Sequence, residues 1–298
     1  MAKWAGKTKG GVIGYSIFIF VLKHFHIKFA YFILRFVAAY FLLFSDKKGI
    51  RYYFRTRLGY SKFKTFVSIY KNYYIFGQVL LDKVALLAGF TKKFTFEFEG
   101  EQHLHNMAKN KTGGVLIGAH VGNWEIAGQL LDRIDSPIHI VMLDAEHEKI
   151  KTLLDGVMSE KTMKIIPIKN DFSHLKAIGE ALSNKEIVAI HGDRYLPGTN
   201  AVSSEFLGEE ALFPSGPLYL STKYKVPVTF VSAMKESASH YHFFATEPKV
   251  YKYPGNLKTR KAEIKNMVID YVTELERVVK GHPLQWFNYY QFWENSNK

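Results

Sequence analysis

At 298 residues with 47% hydrophobic content, the chain can bury a full core as one large α/β domain or two small ones, which excludes a disordered or low-complexity protein. It contains no cysteine, which removes disulfides, thiolate metal sites and cysteine nucleophiles together. The net charge of +13 is concentrated at one end: residues 1–75 hold fourteen Lys and Arg against Asp46 alone, while the remainder balances at 26 bases and 26 acids.

That basic segment is interleaved with two apolar stretches, residues 12–22 and 29–44, separated by Lys23, His24, His26 and Lys28. Each Lys or Arg near an anionic leaflet contributes about 1 kcal/mol of attraction, so the pattern predicts an anionic membrane surface as a partner. Nucleic acid is not expected, because its binders carry such charge without the apolar runs. Neither stretch reaches the roughly 20 clean apolar residues of a spanning helix, and Arg35 interrupts the second. The expectation is therefore a pair of interfacial helices, peripheral on the cytoplasmic face, with a single tilted N-terminal anchor as the alternative. No Ala-x-Ala site follows the first stretch, so a cleavable signal peptide is not expected. An aromatic content of 15% suits a surface that meets lipid or a pocket that buries an acyl chain.

Between residues 49 and 90 the apolar positions Phe63, Phe66, Val67, Tyr70 and Tyr74 recur every three or four residues, which predicts helix. This divides the chain into a membrane-associated helical segment, residues 1–90, and a globular domain, residues 91–298. The domain opens with Phe94, Phe96 and Phe98 alternating with polar residues, a half-buried strand by its period of two. Short apolar runs follow at residues 115–117, 138–143, 165–168, 187–190 and 228–231, with helical stretches at 124–134 and 172–182. Strands alternating with helices predict an α/β fold with a mixed, mostly parallel sheet flanked by helices.

The segment GGVLIGAHVGNWEIAG, residues 113–128, is the most informative. Its buried strand ends at Gly118 and Ala119, putting His120 at the carboxyl end of a strand, where open α/β sheets bind ligands. Asn123 can cap the helix that follows, so Glu125 falls in its first turn beside the same crevice. A histidine near neutral pKa with a carboxylate to hold its tautomer is a general base for an attacking hydroxyl, and needs no enzyme nucleophile. By spacing alone, a capping histidine and a surface glutamate is the favoured reading, and the flanking Gly122, Asn123 and Trp124 are what shift it.

Further along, a strand runs into the polar loop IVAIHGDRYLPG, residues 187–198. There Arg194 can bind phosphate or carboxylate through its planar fork, and Asp193 can accept from hydroxyls. Ser215 lacks the GxSxG elbow of a hydrolase nucleophile. His139, Asp144, Glu146 and His147 have no metal-ligand spacing, and no nucleotide loop precedes a helix, so neither a metal nor an organic cofactor is expected. His103, His105, His240 and His242 are expected to be solvated.

HVGNWE with its preceding strand resembles the first block of the lysophospholipid acyltransferase superfamily, in particular the branch of bacterial lipid A late acyltransferases. That block supplies the family's catalytic histidine and acidic residue, which fall on His120 and Glu125, with Gly122 and Asn123 beside the substrate. The loop at Asp193 and Arg194 resembles the second block, which lines the acceptor pocket. FPSGP at Phe213, Pro214, Ser215 and Gly216 resembles the third, a turn that supports the acceptor site. The closing HPLQWFNYYQFW, residues 282–293, and the opening WAGKTKG are also similar, so the resemblance covers nearly the whole chain.

It implies a glycerol-phosphate-acyltransferase-like fold on the cytoplasmic face of the bacterial inner membrane. It further implies transfer of a fatty acyl group from acyl carrier protein or acyl-CoA to a hydroxyl of a lipid or glycolipid acceptor, as in lipid A biosynthesis. Two departures bear on the acceptor: FPSGP lacks the Glu and Arg of an FPEGTR-like block, and Val141 to Asp144 reads VMLD where lipid A enzymes commonly carry a basic Tyr-Arg pair. The competing readings are a noncatalytic membrane-binding scaffold and a lipid hydrolase using the same His and Glu.

Overall fold

A computed structural model describes residues 27–293 apart from residues 88, 125, 127–132, 144–162, 170, 172 and 196–198. The first apolar stretch, residues 12–22, lies outside the described residues, as does Glu125. Val115, Leu116 and Ile117 form the middle of β2 (Gly114–Gly118), which is buried along its whole length, as a strand covered on both faces must be. On one side β2 pairs in parallel with β5 (Ile187–His191), followed by β3 (Ile138–Leu143) and β4 (Met163–Ile168), all parallel. On its other side lies β8 (Val228–Lys235), also parallel. The direction reverses at β9 (His240–Ala245), which runs antiparallel to β8 and parallel to the edge strand β1 (Thr95–Glu99). The result is a seven-stranded, mostly parallel sheet.

Helices cover it. α4 (Glu101–Lys109) follows β1, α5 (Ser173–Ser183) precedes β5, and α6 (Gly216–Tyr224) precedes β8. α7 (Arg260–Gly281) buries Val268, Tyr271, Val272, Leu275 and Val279 in the main core. After α7 a tight turn, Pro283–Gln285, leads into an extended segment whose Trp286, Phe287, Phe292 and Trp293 are all buried.

Two elements were not expected. β6 (Ala201–Phe206) and β7 (Glu209–Pro214) form an antiparallel hairpin apart from the main sheet. Phe206 faces Glu209, so its loop is Leu207 and Gly208, both at positive φ (54° and 79°), the backbone demanded by a two-residue hairpin of right-handed twist. Leucine is a poor residue for that conformation, which hid the turn; here the Glu276 carboxylate accepts from the Leu207 N–H at 2.6 Å. β9 is the second: His240 and His242 lie on its outer face against Glu97, Glu99 and Glu236, with the nitrogens 3.3–3.8 Å from the carboxylates.

The N-terminal part comprises α1 (Ile27–Phe44), the short α2 (Lys48–Tyr52) continued by a π-helical turn (Tyr53–Arg57), and the long α3 (Lys62–Leu87). One stripe of α1, with Ile27, Ala30, Tyr31 and Leu34, packs with Leu81, Val84 and Ala85 of α3 and with Ile126 and Tyr241 of the sheet region. Ile50, Tyr53, Phe54 and Ile69 belong to the main core. Residues 27–87 therefore share hydrophobic cores with the α/β body. The opposite stripe of α1 exposes Phe29, Phe32, Phe36, Tyr40, Leu43 and Phe44.

Candidate active site

The register of two central strands builds the site. Gly118, at the end of β2, pairs with His191, at the end of β5. Two residues beyond each lie His120 and Asp193, so the parallel pairing carries them out of the sheet side by side. The Asp193 carboxylate accepts twice from His120: the backbone N–H gives to Oδ2 at 3.0 Å, and ring Nδ1 lies 2.8 Å from Oδ1. Asp193 is buried, with 1% side-chain exposure, and His120 is nearly so. Burial alone would raise the Asp193 carboxyl, but His120, Arg194 and His191 outweigh it and hold the group well below the usual carboxylate range.

An ionised Asp193 accepts a hydrogen bond from Nδ1–H, which fixes the tautomer of His120. Nε2 is then the basic nitrogen, and among the described residues it has no protein partner. Three rings meet here: His120 lies 4.5 Å from His191 and 5.1 Å from Trp124, centroid to centroid, and Trp124 lies 5.3 Å from His191. Burial, then the adjacent His120, push His191 down to about 3, so it stays neutral near neutral pH. Behind the rings, Gly192 N–H and Tyr271 Oη both donate to the Gly118 carbonyl, at 2.9 and 3.0 Å.

The other residues singled out in the sequence fall around this centre. Gly122 adopts φ +64°, and a Cβ there would come within 2.1 Å of the Ala233 carbonyl oxygen, so its lack of a side chain lets the chain cross β8 closely. Its N–H donates to Gln285 O, and Phe287 N–H donates to His120 O, so the C-terminal segment clasps residues 120–122 from outside. Asn123 is fully buried. Its Oδ1 accepts from the Ile126 N–H at 3.3 Å, the cap that the sequence suggested, while Nδ2 donates to Val79 O and Tyr241 Oη.

Arg194 donates to Phe287 O at 3.0 Å and lies over the Tyr290 ring. Phe213 is wholly buried and sits against Tyr271 and Phe292. Pro214 ends β7, Ser215 bonds back to Asn200 through both N–H and hydroxyl, and Gly216 opens α6. Among the described residues no hydrogen bond or ring contact joins these four directly to His120.

Among the described residues, two groups of side chains present metal-ligating atoms within 4.8 Å of one another: His120, His191 and Asp193, and the outer-face Glu97, Glu236 and His242. In the first, the hydrogen bond between His120 and Asp193 already engages one nitrogen and one oxygen. His191 was not singled out in the sequence. Its one signal was its position, the last strand residue before the Gly-Asp-Arg loop.

A histidine held by a buried carboxylate at the carboxyl ends of a parallel sheet has the geometry of a general base, the class of site that can take a proton from a bound ligand. The model of the bacterial lipid A biosynthesis acyltransferase family matches residues 10–294, and the chain belongs to that family. It is an acyltransferase of lipid metabolism. No curated protein is significantly similar to it in sequence. Among solved structures it is similar to the 1-acyl-sn-glycerophosphate (LPA) acyltransferase PlsC from Thermotoga maritima, at 14% identity over 84% of this chain and 97% of that one, with a TM-score of 0.36.

Proposed function

We propose that the protein transfers a fatty acyl group from a thioester, on acyl carrier protein or coenzyme A, to a hydroxyl of a membrane lipid or glycolipid such as a lipid A precursor. The observation that carries this reading is the buried bond between Asp193 and Nδ1 of His120, which leaves Nε2 as the base. In the reaction Nε2 takes the hydroxyl proton while the oxygen attacks the thioester carbonyl. The tetrahedral intermediate then expels the thiolate, the C–S bond breaks, and the imidazolium returns its proton to sulfur. Ester and thiol leave, and the base is regenerated.

Asp193 stabilises the imidazolium through its hydrogen bond. Glu125, five residues beyond His120, is proposed as a second acidic partner on the resemblance of HVGNWE to the family's first block. Arg194 and the segment Phe213 to Gly216 are proposed on the same ground to shape the acceptor side, with Gly122 and Asn123 holding the backbone beside His120. No metal or organic cofactor enters the scheme.

The acceptor would be met at an anionic bilayer surface on the cytoplasmic face of the inner membrane. Supporting this, α1 carries an exposed aromatic stripe, and Lys28, Arg35, Lys47, Lys48, Lys62 and Lys64 lie on or beside α1 and α3 with Asp46 as the single acid between them. By length and hydropathy α1 could cross a membrane (mean hydropathy 1.8 over 18 residues), but its inner stripe is already occupied by α3, which favours a helix lying in the interface.

Mass spectrometry of membrane lipids tests the chemistry, in a host lacking the native gene and expressing wild type, His120→Ala, Asp193→Asn or Glu125→Gln. We expect one lipid class to gain an acyl chain with wild type, none with His120→Ala, and formation slowed about 10²–10⁴-fold with Asp193→Asn, which presents an amide where the base requires an acceptor. Glu125→Gln should also slow it. Identical lipid profiles for wild type and a folded His120→Ala would remove the base and favour a scaffold; free fatty acid without acylated lipid would mean hydrolysis.

A further inference from the structure

We propose that His191 is a second catalytic residue, a neutral imidazole whose ring N–H binds the thioester carbonyl oxygen as that oxygen becomes an oxyanion. The inference rests on the acyl-transfer reading above and adds a group that the base mechanism does not use.

Four observations support it. The first is position: His191 is the last residue of β5, opposite Gly118, and a Cβ at Gly118 would lie 3.4 Å from its Cδ2. The imidazole therefore lies in van der Waals reach of the end of β2. The second is distance. The ring centres of His191 and His120 are 4.5 Å apart, and nitrogens of the two rings lie within 4.8 Å. A base and an oxyanion donor, each about 3 Å from its oxygen, can both serve at this separation, because the two oxygens are bonded to one carbon.

The third is an open donor. Among the described residues the His191 ring nitrogens have no hydrogen-bond partner, although the ring is partly buried between His120 and Trp124. Because the ring is only partly buried, its N–H is open toward the space beside His120, where a ligand oxygen can take the place of water. The fourth is charge state: with its titration pushed far into the acid range, His191 stays a neutral donor and cannot compete with His120 for the hydroxyl proton. No proton changes hands at His191; it contributes one hydrogen bond that strengthens as negative charge develops on the carbonyl oxygen.

The test uses the full chain, purified in detergent, with His191→Ala, His191→Gln and, as control, His120→Ala. Probes are saturated acyl thioesters of coenzyme A and of acyl carrier protein, together with a host lipid extract. The chain has no cysteine, so a thiol reagent reports released coenzyme A without background from the enzyme; ester product is counted by mass spectrometry. Thermal unfolding screens each variant, and His191→Leu replaces His191→Ala if the latter unfolds.

Expected is a loss of about 10²–10³-fold in kcat for His191→Ala with little change in KM. The pH dependence of kcat should not move, and His191→Gln, which retains a side-chain N–H, should recover part of the rate. Wild-type kcat in folded His191→Ala or His191→Leu, a shifted acid limb, or no recovery with folded His191→Gln would overturn the proposal. The two readings fail separately. Activity surviving in His120→Ala sinks the base mechanism, whereas a dead His120→Ala beside a fully active His191→Ala sinks only the role of His191.

Discussion

Asp193 lies 73 residues from His120 in the chain, and the hydrogen bond between them exists because β2 and β5 are neighbours in a parallel sheet. His191 arrives beside His120 through the same pairing, and its depressed titration makes a prediction about acid stability. In the unfolded chain a histidine takes up a proton as pH falls through about 6.5. Folded His191 refuses that proton until about 3. Between these values the unfolded state binds more protons, so stability contributed at neutral pH is lost as pH falls. Replacing His191 with Gln removes this site from both states. From about pH 7 to about pH 5 the melting temperature of His191→Gln should therefore fall less than that of wild type. His174 and His282, which burial also depresses, remain in both proteins and cancel in the comparison. Equal slopes would mean that His191 protonates normally in the fold. Asp193 does not confuse this window: its depressed carboxyl loses its stabilising effect only at lower pH.

Among the elements, the N-terminal helices are fastened to the sheet by a buried polar network. Lys235 of β8 donates to Asp82 of α3 at 2.5 Å, with side-chain exposures of 4% and 0%. Tyr31 of α1 and Tyr241 of β9 also donate to Asp82, and Tyr241 Oη accepts from Asn123, three residues from His120. Lys235 is further bound through its backbone to Gln285, whose carbonyl holds Gly122. The network thus connects α1 and α3 to the turn that carries His120. Replacing Asp82 with Ala leaves the Lys235 ammonium buried and uncompensated, and should cost about 3–5 kcal/mol by denaturant unfolding. The double variant Asp82→Leu with Lys235→Met should recover most of that loss, since apolar side chains of similar volume replace a buried pair at little or no cost. A double variant as unstable as the single one would show that the network contributes more than charge neutralisation. This network was illegible in the sequence, where Asp82 is one acid on a long helix and Lys235 one base at a strand end, 153 residues apart.

At the scale of the whole molecule, α1 presents two stripes to two environments. Its inner stripe is used by the protein, and its outer stripe is aromatic and exposed. Burying a Phe side chain contributes about 1.5–3 kcal/mol, so Phe32→Glu together with Phe36→Glu should lower partitioning onto anionic vesicles more than about tenfold. Flotation of the full chain measures this. Binding of wild type should also weaken as salt rises, because screening removes the share contributed by the lysines. Unchanged flotation of the double variant would mean that another surface meets the bilayer. Among residues 27–87 the helical period was legible, since it is a local alternation. That these helices share cores with the sheet was not, because a stripe of Tyr31 and Leu34 reads the same whether it faces lipid or protein.

The sequence by itself determined the alternation of strand and helix, the position of His120 at a strand end, the cap at Asn123 and the charge asymmetry. Each is written in residues close together, where side-chain period and turn chemistry act directly. Tertiary structure alone decided that Asp193 orients His120, that His191 stands next to it, and that Asp82 and Lys235 hold the helices to the body. Those contacts follow from which strands become neighbours and in what register, a choice made by packing the whole core, and no short stretch of residues encodes it.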